Sequence, residues 1–446
     1  MAGIKNMMNL GKGALMAHQQ RMATHQHNVS NASTPGYRRE RVQLQTLGSY
    51  TGVPLQGVRA GYTESVSAPL VDRVVPEKRG EVAYHSTIQE AGLVVESLTT
   101  EDALNDRLSE FFAGARSLEV DGQSLDTRQD FLIRAKSLAN TIRGRHDSLQ
   151  FQREINTDYA EESVNQLNQN LQELEMIENE MMINPNAPEL IDARDQLVNS
   201  ISDMTGTRVV PDASGRVSLV TSSGTALFEG GRAREVSFES TAQGFSYKVG
   251  NNKPLDDVGG KLGGLLQADH DIYQGSINRL NEFASAFANE VNTLHTQGVG
   301  LDGSTGQELF IVSAQGAAST IAINDTLVDN PKMLALSDDT ASLPGGSQVA
   351  FQMAELEEQQ ILNGQTPNGL LTQDALAVGK SIAFSAQHAD AAASALNQAE
   401  SIQASVSGVS LEEEMLSLAE AQRAYEASVK IVQTADEMMQ TILALK

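Results

Sequence analysis

Asn28-Val29-Ser30-Asn31-Ala32-Ser33-Thr34-Pro35-Gly36-Tyr37 is the stretch whose reading decides the fold, because it ends one helical pattern abruptly and its counterpart lies at the far end of the chain. Upstream of it, Met8, Leu15, Met22 and Val29 recur every seven residues, which predicts a helix from about Lys5 to Ser30 with one apolar stripe. Pro35-Gly36 suits the two central positions of a type II turn. Proline presets the first φ, and glycine tolerates the positive φ at the second. At the other end, Leu411, Met415, Leu418, Tyr425, Val429, Val432, Met439 and Leu443 alternate at four and three, with Gln422 and Asp436 in register between them. That spacing predicts a coiled-coil seam. Ser410 stands as N-cap with Glu413 three residues on, a capping box, and Glu412 to Glu414 read as a solvated start of the helix.

The two ends also oppose each other in charge. Residues 1–45 carry a formal +5 and residues 409–446 a formal −4, leaving −26 on the middle of a chain whose net charge is −25. Exposed ion pairs contribute only about 0–1 kcal/mol each, so apolar stripes must supply most of any pairing energy. Within one chain such pairing is expected to be marginal. Arg38-Arg39-Glu40-Arg41 is read as a contact for the acidic tail, and His25 and His27 as polar-face residues on different sides of the first helix.

The ten-residue stretch resembles the Asn-x-x-Asn-x-x-Thr-x-Gly-Tyr signature shared by bacterial flagellar rod, hook and hook-associated proteins, carried here by Asn28, Asn31, Thr34, Gly36 and Tyr37. The segment from Gly408 to Lys446, with Ala424-Tyr425-Glu426-Ala427-Ser428 and Thr434-Ala435-Asp436-Glu437-Met438, is similar to the matching C-terminal segment. Gly259 to Phe310, including Asn289-Glu290-Val291-Asn292-Thr293-Leu294-His295, resembles the hook-associated branch in particular. The resemblance implies a structural protein that polymerises where hook meets filament. It also implies a homo-oligomeric ring, the flagellar hook protein on one side, and the next hook-associated protein or the filament on the other. A dedicated export chaperone on the C-terminal helix and the flagellar type III export apparatus complete the implied partners. The implied address is extracellular, reached without a cleaved signal peptide. A hook or distal rod protein is the alternative within the family; an adhesin or enzyme displayed on the flagellum is the alternative outside it.

Composition limits other functions. Cysteine is absent, which excludes disulfides, thiolate zinc sites and cysteine nucleophiles. The acidic middle should repel nucleic acid and anionic membranes, and no apolar run is long enough to span a bilayer. Gly298-Val299-Gly300-Leu301-Asp302-Gly303 fits a dinucleotide fingerprint in letters, but it follows a helix instead of a strand and reads as a glycine-rich turn. Gly379-Lys380-Ser381 lies inside a helical pattern and lacks the first glycine of a phosphate loop. No zinc-hydrolase or nucleophile-elbow motif occurs, so catalytic, metal and cofactor-binding residues are all read as none.

Between the ends, the expected fold class is mainly α with an inserted small β domain. The expected divisions are an N-terminal axial helix and turn (1–45), a helical bundle in two parts (46–205 and 262–408), an inserted β domain (206–261) and a C-terminal axial helix (409–446). Residues 46–84 read as loop with short extended pieces such as Val53-Pro54-Leu55. Helical periodicity starts at His85 and continues through a long helix from Ser124 to Ile183. It resumes at Glu189–Met204, from Tyr273 to just before Gly298, and at Val349–Leu362 and Thr372–Ser405. Period-two alternation between Thr207 and Val258 marks the β insert, closed by Gly259 to Gly264, and residues 300–348 read as irregular.

Overall fold

A computed structural model of the chain describes residues 2–34, 36–46, 57–101, 103–211, 216–241, 244–313 and 316–444. The fold is mainly α. Helix α1 (Ala2–Asn31) is followed by an antiparallel hairpin of β1 (Glu40–Thr46) and β2 (Val58–Ser65), in which Glu40 pairs with Ser65 and Thr46 with Val58. The Val53-Pro54-Leu55 alternation lies outside the described residues. Helices α2 (Val71–Glu101), α3 (Leu104–Asp121), the 57-residue α4 (Leu125–Met181) and α5 (Pro188–Thr205) follow. The start of α2 at Val71 corrects the expected start at His85. Packing of α2 against α5, α6 and α11 overrides the weak local propensity around Pro76 and Gly80.

The insert comprises β3 (Arg208–Pro211), β4 (Val217–Val220), β5 (Ala226–Glu229) and β6 (Arg232–Ala233) in one antiparallel sheet. A second sheet holds β7 (Val236–Thr241), β8 (Gly244–Val249) and β9 (Lys253–Pro254). Along β8 the burial alternates strictly, so Phe245, Tyr247 and Val249 face inward, as period-two patterning requires. The glycine run that follows the insert also opens α6 (Gly260–Gln267), which continues through a π-helical turn (Ala268–Tyr273) into α7 (Gln274–Gln297).

Beyond α7 the chain is irregular, with β10 (Phe310–Ile311) paired to β11 (Ala322–Ile323) and short helices α8 (Ala317–Thr320) and α9 (Asp325–Asp329). Arg128, 1% exposed, holds this segment to α4: its guanidinium donates to the carbonyls of Gly122 and Leu334, both at 2.6 Å. Burial pulls its pKa down to about 10. The chain ends in α10 (Gln348–Glu355), the 41-residue α11 (Pro367–Ser407) and α12 (Leu411–Ala444). Thus α10 stops short of Leu362 and α11 begins before Thr372, where Thr366 caps it by accepting from the Gly369 N–H.

Two cores hold the body. Phe111, Phe112, Phe131, Phe287 and Phe310 interlock between α3, α4, α7 and β10, with ring centroids 5.1–6.2 Å apart. The second half of α4, α5 and α6 form the other core with Leu219, Phe228 and Tyr247 of the insert. A buried ion pair, Arg153 Nε to Asp269 Oδ1 at 2.8 Å, joins α4 to the π-helical turn between them.

Candidate assembly interface

The ends of the chain meet: α1 packs along α12. The line of closest contact on α12 is Glu414, Ala421, Ser428 and Ala435, a seven-residue repeat of mostly small side chains. This is rotated by one position from the expected seam. Leu418, Tyr425, Val432 and Met439 flank the contact, half-buried as is Val429, while Leu411, Met415 and Leu443 point outward at 50%, 64% and 62% exposure. On α1 the buried line runs through Ile4, Gly11, Ala17, Thr24 and Asn28, with Met8, Leu15, Met22 and Val29 half-buried beside it. The cause is backbone proximity. A Cβ on Gly11 would lie 2.6 Å from Val432 Cγ2, so the helices approach too closely for large side chains in the middle of the contact.

The signature residues form the joint below this pair. Asn28, fully buried, makes four hydrogen bonds: its Nδ2 donates to the Glu40 carbonyl and to Glu414 Oε2, both at 3.0 Å. Its Oδ1 accepts from the Glu40 N–H at 2.9 Å and the Tyr37 hydroxyl at 2.8 Å. One side chain therefore ties the end of α1 to β1 and to the first turn of α12. Asn31 donates to the His27 carbonyl at 3.1 Å and accepts from the Thr34 hydroxyl at 3.4 Å. The chain reverses where Tyr37 N–H donates to the Thr34 carbonyl at 3.2 Å, with Gly36 at φ 78°, as the second central position of a type II turn requires. The first central position, Pro35, lies outside the described residues.

Three expectations are corrected here. Glu414 is buried instead of solvated, because His25 Nδ1, 2.6 Å away, and Asn28 hold its carboxylate. His25 faces α12 instead of solvent, whereas His27, half-exposed on the polar face, lies 3.0 Å from Glu40 Oε1. Of the basic run, only Arg39 forms an ion pair with the acidic tail among the described residues, with Glu413 at 3.1 Å. That pair leaves the capping box one-sided: Ser410 Oγ accepts from the Glu413 N–H at 3.5 Å while the Glu413 carboxylate faces Arg39. Arg38 turns the other way, to Asp72 at 3.1 Å and Asp195 at 2.7 Å, and so locks the joint onto α2 and α5.

Burial shifts several acids at this joint. Desolvation pushes the Asp192 carboxyl up to about 6, opposed by Arg38, and raises Glu40, opposed by His27. Burial first, then the nearby Glu40 and Asp192 carboxylates, drive the Tyr37 hydroxyl well above its ordinary value, so it stays a donor to Asn28. Sequence spacing alone could not assign these partners, because they come from four separate elements.

Glycine-rich residues 298–303 form a turn in which Gly300 N–H donates to the Ser304 carbonyl, and residues 379–381 lie within α11. No group of three or more metal-ligating side chains is found among the described residues, and no described helix is long and apolar enough to cross a membrane.

Comparison with known proteins places this architecture. Residues 95–310 match the family model described as the flagellar hook-associated protein FlgK helical domain, and residues 403–445 match that described as the flagellar basal body rod FlgEFG protein C-terminal. Flagellar hook-associated protein 1 of Bacillus subtilis (strain 168) is 24% identical over 98% of this chain and 97% of its own length. The protein of that name from Salmonella typhimurium is also 24% identical, over 74% of this chain and 65% of its own length. The solved structure titled as the flagellar hook junction protein FlgK from Burkholderia pseudomallei shares the fold, with a TM-score of 0.67 at 13% identity over 76% of this chain and 100% of that one.

Proposed function

We infer that the chain belongs to the flagellar hook-associated protein 1 family and is a structural protein of the bacterial flagellum that joins hook to filament. The observation that carries this reading is the joined pair of terminal helices, whose contact line is small and polar while large apolar side chains are left outward. Such an arrangement has little use in an isolated subunit and much in a polymer, where neighbouring copies cover Leu411, Met415 and Leu443 and consolidate both helices.

Residues 1–45 and 409–446 form the axial layer in this reading. The bundle of 46–205 and 262–408, with the insert of 206–261, stands outside it. The copies form a ring between hook protein and the next hook-associated protein or filament. An export chaperone covers the exposed apolar face of α12 before passage through the flagellar export apparatus, without a cleaved signal, to the cell exterior. No catalytic role is assigned.

Immunogold labelling of isolated hook-filament preparations tests the reading. A tight band at the junction is expected. Label along the whole hook would establish a hook protein instead, and no label on the appendage would overturn a flagellar role. Removal of residues 1–45 should abolish incorporation, and Tyr425→Asp or Val429→Asp should block it. Normal junctions in these variants would refute the role of the terminal pair. Pull-down of the chaperone should likewise require residues 409–446.

A further inference from the structure

Residues 298–347 carry little regular structure, yet Leu334 and Leu336 within them are fully buried, so side chains from elsewhere must hold the backbone of this segment in place. Two of these come from Asn292-Thr293-Leu294-His295 in α7, where positions three apart share one face. Asn292 clasps β10: its Nδ2 donates to the Phe310 carbonyl at 2.7 Å, and its Oδ1 accepts from the Leu309 and Phe310 N–H groups, both at 2.9 Å. His295 is fully buried and reaches two other points of the segment. Its Nδ1 lies 2.6 Å from the Gln307 carbonyl oxygen, and its Nε2 lies 2.9 Å from the Ala335 nitrogen.

These partners fix the state of the imidazole. A carbonyl can only accept, so Nδ1 carries a proton; an amide N–H can only donate, so Nε2 must be bare. The ring therefore fits its site only when neutral. An imidazolium would set Nε2–H against the Ala335 N–H and would add a cation near Arg128, the charged group that faces His295 from α4 among the described residues. From the segment itself the ring meets uncharged backbone at Gln307 and Ala335. Asp302 acts on Arg128, and hydrogen bonds from Ser304 hold its carboxyl below the ordinary 3.8, so its charge is constant in mildly acidic solution.

We propose that His295 is an acid-released latch: uptake of one proton at Nε2 expels the Ala335 N–H and frees residues 332–337 from α7, while the Asn292 clasp on β10 stays closed. Release uncovers Leu334 and Leu336 and removes an anchor of α10, since the Val349 N–H donates to the Leu336 carbonyl at 3.0 Å. The direction follows from the burial of the ring. Desolvation lowers its pKa from the ordinary 6.5, opposed by the Gln307 carbonyl and reinforced by the Arg128 charge. The latched chain thus resists a proton that the released chain accepts, and stability supplied by the neutral ring is complete above pH 6.5 and lost below it. For one proton the opening equilibrium grows about tenfold per pH unit, until the ring titrates in place. This device operates within a single copy and does not depend on the assembly reading.

Amide hydrogen exchange of the full chain, corrected for the intrinsic effect of pH, reads the release directly. Below about pH 6.5, protection of residues 332–337 should fall about tenfold per pH unit, while β8, in an insert without histidine, keeps its protection. His295→Gln, whose amide takes up no proton in this range, should show no such slope, whatever its protection at neutral pH. A flat profile in the wild type, or the same slope in the variant, would overturn the latch. Should the variant fail to fold, the wild-type ring decides: its resonances in a nuclear magnetic resonance titration should report a pKa below 6.5, and a value at or above 6.5 refutes the proposal.

Discussion

Replacing Asn28 by alanine should uncouple the terminal helices from each other while leaving the body of the molecule folded. The side chain is fully buried and makes three hydrogen bonds with neutral groups, two on the Glu40 backbone and one on Tyr37, plus one with the Glu414 carboxylate. Neutral bonds contribute about 1 kcal/mol each and a bond to a charged group about 1.5–3, which sums to about 4–6 kcal/mol. Water entering the space left behind would recover part, so a net loss of about 3–4 kcal/mol is expected. Each 1.4 kcal/mol is a factor of about ten in an opening equilibrium, hence protection against amide hydrogen exchange in α1 and α12 should fall by roughly 10² to 10³. The aromatic core around Phe111 and Phe287 touches neither helix, so α3, α4 and α7 should keep theirs. Exchange read peptide by peptide on the full chain measures both. A loss under tenfold in α1 and α12, or an equal loss throughout the body, would refute the claim that this residue couples the two ends.

Other perturbations probe the rest of the structure. Gly11→Leu should force α1 away from Val432 and weaken the terminal pair by about 1–3 kcal/mol, visible as faster proteolysis within α12. Asp192 has its carboxyl raised to about 6 from an ordinary 3.8, chiefly by burial. The folded state therefore binds its proton more tightly than the unfolded state, and this residue costs stability above pH 6, a cost relieved as the pH falls from 6 toward 4. Asp192→Asn should accordingly be more stable than wild type at pH 7.5, with the difference shrinking toward pH 4 in urea titrations. Asp269→Ala leaves Arg153 buried without its carboxylate and should cost about 3–5 kcal/mol in body unfolding. Replacing both partners with apolar residues of similar size should cost much less.

The sequence makes long periodic elements legible and hides pairings between elements. Regular spacing along α4 and α7 and strict alternation along β8 announce those elements, because each follows a single local period. The start of α2 is hidden by Pro76 and Gly80, whose poor helix propensity is outweighed only once three other helices pack around them. The contact line on α12 is misread for a related reason. Heptad spacing identifies a seam by its large residues, but here Gly11 lets the partner backbone approach so closely that Ala421, Ser428 and Ala435 occupy the middle. The ten-residue signature is visible as a motif, yet the burial of Glu414 by His25 and Asn28 depends on a partner more than 380 residues away, which no local pattern encodes.

The rotation of that contact line bears on how the terminal pair can work. Had Leu411, Met415 and Leu443 filled the seam within one chain, the helix pair would have satisfied its apolar surface alone and offered neighbours a polar exterior. Small residues inside leave Met16, Leu411, Met415, Leu416, Ile431 and Leu443 between 46% and 62% exposed, apart from Met415 at 64%. Full burial of such a side chain is worth about 1.5–3 kcal/mol, so covering the exposed half of each would return about 1 kcal/mol, or about 6 kcal/mol over the six. That is comparable with the whole contribution of the Asn28 joint. A subunit built this way holds its ends in register through the buried polar joint and gains the larger apolar share only on assembly. Alanine at Asn28 and a polar residue at Met415 should therefore differ in kind: the first loosens α1 and α12 in the isolated chain while its body stays folded, and the second leaves the isolated chain intact but weakens incorporation.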